Sequence, residues 1–279
     1  MRLKDCANAD HEVAAKAIAK GLASHSGDYA GVWIHTSGTG ILGFADLQRQ
    51  VFGEASSKIY DDWDGIGELI SMPDQAPHRT VDKIVQAAGM DLSTRVDTAI
   101  VCPPCIYGKG RGPGNQRSVQ LYELARMTLE QKHGVQVGAG KTRWTSVHVS
   151  DLSNCFLKLV EDAAMRAGKA TWGKEGYYFT ENGDFVWGDI SKLVAIEAHK
   201  QGFLQTDEVV PLPAAEANKL TPHATFLFGA NSRCKAIRAR KLLDWSPKGR
   251  SLEDEIPDAV ASEARKLGLV EGHAAKVAG

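Results

Sequence analysis

Gly31-Val32-Trp33-Ile34-His35-Thr36-Ser37-Gly38-Thr39-Gly40-Ile41-Leu42-Gly43 is the stretch on which the fold reading turns. Val32, Trp33, Ile34 and Thr36 favour a buried strand, and the Ser/Gly run after them a turn. Before it, residues 10–22 read as a helix: Asp10 can cap it, and Val13, Ala14, Ala17, Ile18 and Leu22 recur near helical spacing. After it, the chain alternates. Residues 82–88 read as a helix, and residues 98–102 as a short apolar strand stopped by Pro103-Pro104. Residues 116–131 follow as a helix and 147–149 as an extended piece. Residues 152–164 read as an amphipathic helix capped by Ser150 or Asp151, 176–180 as a strand, 187–199 as a helix and 252–267 as the last helix. Residues 205–224 have a loop-like composition and are expected to form a substrate lid. Short apolar strands separated by helices imply parallel pairing, because parallel strands need long crossovers. The expected class is therefore α/β with an open parallel sheet.

Composition narrows the function classes. The 279 residues leave room for one large domain or two modest ones. Lys and Arg number 33 against 34 Asp and Glu, so a generally basic nucleic-acid binder is not expected. No apolar run approaches the ~18 residues that cross a bilayer, and Met1-Arg2-Leu3-Lys4-Asp5-Cys6 has no apolar signal region. Five cysteines, Cys6, Cys102, Cys105, Cys155 and Cys234, are an odd number in a long chain, so a reducing, cytoplasmic setting is expected.

Several motifs carry chemistry on paper. Gly38 to Gly43 is formally G-x-G-x-x-G after a strand, with Asp61 or Asp62 about twenty residues on, which would suit a dinucleotide loop. The residues between make a poor βαβ unit, however. Cys102-Pro103-Pro104-Cys105 has no second cysteine pair and reads as packing at a strand end rather than a redox or metal motif. His148 and Asp151 read as helix capping, and no metal site is expected. The run Arg233, Lys235, Arg238, Arg240 and Lys241 reads first as a solvated face, and second as a partner for an anionic substrate.

Four segments in order resemble the extended short-chain dehydrogenase/reductase superfamily, in its NAD-dependent epimerase/dehydratase branch. Trp33 to Gly38 resembles the strand whose end carries a Ser/Thr-rich active-site stretch. Val101-Cys102-Pro103-Pro104-Cys105-Ile106-Tyr107-Gly108 resembles the "R-P-x-x-x-Y-G" segment beside the nicotinamide. Thr145 to Leu152 resembles "V-H-V-x-D-L", and Leu242 to Pro247 with Ser251-Leu252 resembles the "L-G-W-x-P … S-L-E-E" ending. The resemblance makes residues 31–36 an inner strand beside a reaction centre. It implies a Rossmann-like open parallel sheet, N-terminally truncated, since the family's opening strand, glycine-rich turn and two further βα units have no counterpart here. Residues 1–108 and 145–180 would form the Rossmann-like part, and residues 109–144 and 181–279 a smaller substrate-binding region.

The family's catalytic pair is Tyr-x-x-x-Lys. The positions four on from the six tyrosines are Trp33, Asp64, Arg111, Arg126, Glu181 and Asn182, none of them lysine. The matching segment is residues 78–83. There Lys83 falls at the lysine, Arg79 stands at the tyrosine, and His78 is the nearest group able to titrate near neutrality. The resemblance thus implies catalytic roles for Ser37, Thr39, His78 and Lys83, and cofactor contacts from Thr36, Ser37, Lys83, Pro103, Pro104 and Ile106. The expected cofactor is NAD or NADP, bound with impaired affinity, and the expected partner is a small hydroxyl, carbonyl or sugar-like molecule, with a homodimer as a further expectation. No nucleic acid and no membrane partner are expected. The alternative is a non-catalytic binding protein on the same scaffold.

Overall fold

In the computed structural model, residues 2–5, 8–24 and 31–270 are described. The chain runs β1 (Arg2–Asp5), α1 (Glu12–Ala23), β2 (Gly31–Thr36), α2 (Phe44–Arg49), β3 (Tyr60–Asp61), α3 (Ile66–Ile70), α4 (Arg79–Met90), β4 (Val96–Cys102) and β5 (Cys105–Tyr107). It continues α5 (Gln120–Gln131), β6 (Gly134–Val137), β7 (Arg143–His148), α6 (Val149–Met165), β8 (Tyr177–Phe179), β9 (Asp184–Val186), α7 (Trp187–Lys200) and β10 (Val209–Leu212). Then come α8 (Ala214–Leu220), α9 (Ala224–Gly229), β11 (Cys234–Lys235), α10 (Arg238–Leu243) and α11 (Ile256–Lys266).

The main sheet has the order β1-β2-β4-β8 and is parallel throughout. Val32, Trp33, Ile34 and His35 are all buried, the signature of a strand covered on both faces. β2 lies between β1 and β4, so it is an inner strand, as the family resemblance requires. Among the described strands the order advances in one direction only. No reversal occurs at β2, so the geometry of a first dinucleotide strand is not met there.

α4 packs across β4 and against α1. Val81, Asp82, Val85 and Gln86 face inward on it, while Lys83 faces out. Two apolar cores result. The first joins the main sheet to α4 and α6. The second gathers α5, α7, α9 and α11 around Trp144 and Trp187. Cys234, Ala236, Ala239, Leu243 and Trp245 pack in the first core, although the sequence reading grouped residues 181–279 with the substrate region.

Several boundaries differ from the sequence reading. His11, not Asp10, caps α1, its Nδ1 accepting from Ala14 N at 3.0 Å. His148, not Ser150 or Asp151, caps α6 through Ser150 N. Residues 205–224 are not one loop: β10 pairs in parallel with β6, and α8 follows. Pro211 hid that strand, yet among the described residues β10 has a partner on one side only, where a missing N–H is tolerated. No helix among the described residues is long and apolar enough to cross a membrane.

Candidate active site

The site forms where β2 and β4 end. Ser37 N donates to Val101 O at 2.8 Å and Thr39 N to Pro103 O at 3.0 Å, which ties the Gly38–Gly40 turn to the end of β4. His78, the residue before α4, is laid over this turn. A methyl group on Gly38 would stand 3.1 Å from His78 Nε2, and one on Gly40 would stand 3.2 Å from it. Glycine at these two positions therefore suits the close approach of an imidazole, which a side chain would press aside. The imidazole lies on the face of the turn that a diphosphate would use, and with β2 an inner strand this argues against the dinucleotide-loop reading of Gly38 to Gly43. His78 holds φ +64°, a left-handed conformation uncommon for residues with a side chain, and such outliers concentrate at functional sites.

Asp10 completes the arrangement. Its Oδ1 lies 2.8 Å from His78 Nδ1. The carboxylate holds Nδ1 as the protonated nitrogen and leaves Nε2 over the turn. The sequence assigned Asp10 to capping. Sixty-eight positions separate it from His78, and only the packing of α1 on α4 joins them.

A polar cluster lies beneath. Asp82 is fully buried on the first turn of α4. It faces His35 Nε2 at 4.0 Å and accepts from Tyr177 OH at 3.3 Å. Burial pushes its carboxyl up to about 6, against the downward pull of Ser37, His78, Arg79 and Tyr177. The Thr36 hydroxyl is buried at the end of β2 with no hydrogen-bond partner among the described residues, whereas the Ser37 hydroxyl lies against Asp82 and Cys102. The sign of the pH effect follows. The folded value of Asp82 lies above the ~4 of an unfolded chain, so the stability it contributes is complete below about pH 4 and is lost as pH rises through 6. An Asp82→Asn variant is expected to gain thermal stability relative to the native chain between pH 5 and 7.5. A melting-temperature gap that stays constant over that range would refute this.

The other expected residues are placed as follows. Pro103 and Pro104 are buried at the end of β4. Pro104 and Ile106 line a cavity of about 310 Å³ together with Gly108, Val119 and Val149. Thr39 is 1% exposed, and its carbonyl and hydroxyl both engage Ser232 Oγ, at 2.7 and 2.9 Å. Lys83 is half exposed and bonds Asp74 at 2.6 Å. Arg79 is buried as a latch: it donates to the Met72 and Ile70 carbonyls and to Gln86 Oε1. The structure thus brings Thr36, Ser37, His78, Pro103 and Pro104 together and directs Thr39 and Lys83 elsewhere. Sequence reasoning passed over Asp10 and Asp82. The only trace of Asp82 was an acid four residues after His78, a spacing that shares a helix face.

The remaining motifs resolve structurally. Cys102 and Cys105 are buried; burial raises the Cys102 thiol far above its usual value and the Cys105 thiol to about 12, so neither is a thiolate. Cys6 lies outside the described residues. Arg233, Arg238 and Arg240 are bound by Asp184, Asp62 and Glu181 respectively, and Lys241 lies over the Trp63 ring. His148 bonds Ser150, and Asp151 accepts from Lys248 N and Gly249 N. Among the described residues no three His, Cys, Asp or Glu side chains are grouped as a metal site.

Comparison with known proteins agrees with the fold. No family profile matches the chain. The oxidase ucsJ of an Acremonium species is 39% identical over 270 residues, covering 94% of this chain and 78% of its own. Among solved structures, UDP-glucuronic acid 4-epimerase from Bacillus cereus, in complex with UDP-glucuronic acid and NAD, superposes with a TM-score of 0.57 at 14% identity, covering 91% of this chain and 67% of that one. MoeE5 in complex with UDP-glucose and NAD gives 0.56 at 11%, covering 91% and 71%. PbgP3 from Burkholderia pseudomallei gives 0.55 at 14% and covers 85% of this chain; the match spans 64% of PbgP3's length. At these identities the structures share the fold.

Proposed function

We propose that the chain, a relative of the oxidase ucsJ with the fold of NAD-dependent epimerases and dehydratases, is a cytoplasmic NAD(P)-dependent oxidoreductase of the short-chain dehydrogenase/reductase superfamily in which a His78–Asp10 pair replaces the tyrosine. The observation that carries the proposal is the imidazole held over the Gly38–Gly40 turn, with Asp10 on its far nitrogen. His78 Nε2 accepts the proton of a substrate hydroxyl, or returns one to a carbonyl oxygen. Asp10 holds the tautomer and offsets the charge that develops on the ring.

The nicotinamide end of the cofactor fits the residues present. The orphaned Thr36 hydroxyl needs a partner, and the buried Pro103-Pro104 pair adds an apolar surface at the end of β4. When bound, the nicotinamide supplies the hydride acceptor or donor. Ser37 orients the substrate or the carboxamide, and Ile106 closes the apolar side. Lys83 faces outward on Asp74 and would have to give up that partner to reach the ribose hydroxyls. Thr39 keeps the turn in place through Ser232.

Calorimetric titration with NAD(H) and NADP(H), then a screen of alcohols and ketones for nicotinamide-linked turnover, tests the reading. No binding at millimolar cofactor would remove it. An Asp10→Asn variant is expected to keep substrate affinity and lose about tenfold in turnover, the worth of one charge-assisted hydrogen bond in a half-exposed setting. An unchanged rate would dismiss the pair. Lys83→Ala is expected to weaken cofactor binding about tenfold with little effect on melting, and equal affinities would remove its role.

A further inference from the structure

We infer that the substrate presents an apolar, ring-sized group to Phe226, beside the carbon that carries the reacting oxygen. This deepens the reading of His78 as acid/base and rests on it.

Phe226 comes from α9, far along the chain, yet it stands at the same turn. A methyl group on Gly40 would meet His78 Nε2 at 3.2 Å and Phe226 Cζ at 3.3 Å. Ring and imidazole flank one point above the turn. Gly43 is shaped for the same ring: a methyl there would lie 2.9 Å from Phe226 Cε2. The ring is half-buried, so one part packs on the turn and another part is open.

α9 is firmly anchored. Thr142 Oγ1 donates to Phe228 O at 2.6 Å, Gln120 Nε2 to Leu227 O at 3.0 Å, and Trp144 meets Phe226 edge-on with centroids 6.5 Å apart. The aromatic wall is therefore held in place before any ligand arrives.

Charge points the same way. Gln120 also lines the 310 Å³ cavity, where Pro104, Ile106, Val119 and Val149 are the apolar walls and Asn115, Gln116 and Ser118 the uncharged polar ones. Arg117 is the one charged side chain lining that cavity among the described residues, and it is engaged by Glu123 and Glu263. A diphosphate entering this cavity would find no uncommitted cation to offset its desolvation. An apolar ketone or alcohol needs none, and its gain from covering Phe226 comes at the Gly40 turn, outside the lining of that cavity.

The experiment is saturation-transfer NMR on the full chain with two probes, acetophenone and UDP-glucose. Acetophenone is expected to receive saturation from the native protein, and UDP-glucose to receive none. Phe226→Ala is expected to weaken acetophenone binding tenfold or more, the worth of one aromatic contact face. Phe226→Leu, which keeps the packing on Gly43, guards against a folding failure and should weaken binding by a smaller factor. His78→Asn should remove turnover while weakening acetophenone binding by less than Phe226→Ala, so a failed acid/base reading shows in turnover and a failed wall shows in binding. Binding of UDP-glucose in preference to acetophenone, binding of neither probe, or acetophenone binding indifferent to both Phe226 variants overturns the inference.

Discussion

A His78→Asn variant is expected to lose about a hundredfold to ten-thousandfold in turnover while folding normally and still binding cofactor. Asparagine is the informative replacement. His78 sits at φ +64°, and asparagine tolerates the left-handed region better than alanine, so the backbone before α4 should hold. The side chain makes no capping hydrogen bond to α4, so its loss costs the helix little. Asparagine can still donate to Asp10, but it cannot take up a proton. A rate within threefold of the native value, at equal cofactor affinity, would end the assignment and favour a binding protein without turnover. Circular dichroism and a melting curve on the same sample separate lost chemistry from lost fold.

The second large effect falls on stability. Asp62 is fully buried, and its carboxyl accepts three main-chain N–H groups: Phe179 at 2.8 Å, Ile237 at 2.8 Å and Arg238 at 2.9 Å. The first belongs to β8 of the main sheet, the others to the segment that leads into α10. One side chain thus fastens the C-terminal part to the sheet. Burial pushes the carboxyl up to about 6, while the three N–H groups and Arg238 pull it down. Asp62→Ala leaves three buried donors without an acceptor and is expected to cost about 3–5 kcal/mol. Asp62→Asn keeps the carbonyl that serves Ile237 and Arg238 and should cost about half as much. Urea unfolding measures both. A loss under 1 kcal/mol for the alanine variant would show that water or a shifted backbone satisfies those donors.

The two predictions bear on different links of the same chain of cause. Asp62 holds the C-terminal segment to the sheet, and that segment supplies Ser232, which fixes Thr39 and hence the turn under His78. Asp62→Ala should therefore lower activity through the population of folded protein, whereas His78→Asn should lower it at constant population.

The sequence by itself determined the architecture. The apolar run Val32, Trp33, Ile34 with Ser/Gly after it, repeated with helices between, leaves a parallel sheet as the arrangement that buries those strands on both faces. The family resemblance, and not the strand pattern, raised the expectation of chemistry at the end of β2, with Ser37, Pro103 and Pro104 within a few residues of the strands that present them. Short-range pattern cannot report which distant side chains meet. Asp10 and His78 are paired by helix packing; Phe226 reaches Gly40 through the fold of the C-terminal part; Arg79, read beside the active site, turns inward because its guanidinium finds two carbonyls and Gln86 there. Strand and helix periods are local and survive in one dimension. Side-chain contacts between elements depend on packing angle and register, which exist only once the whole core has closed.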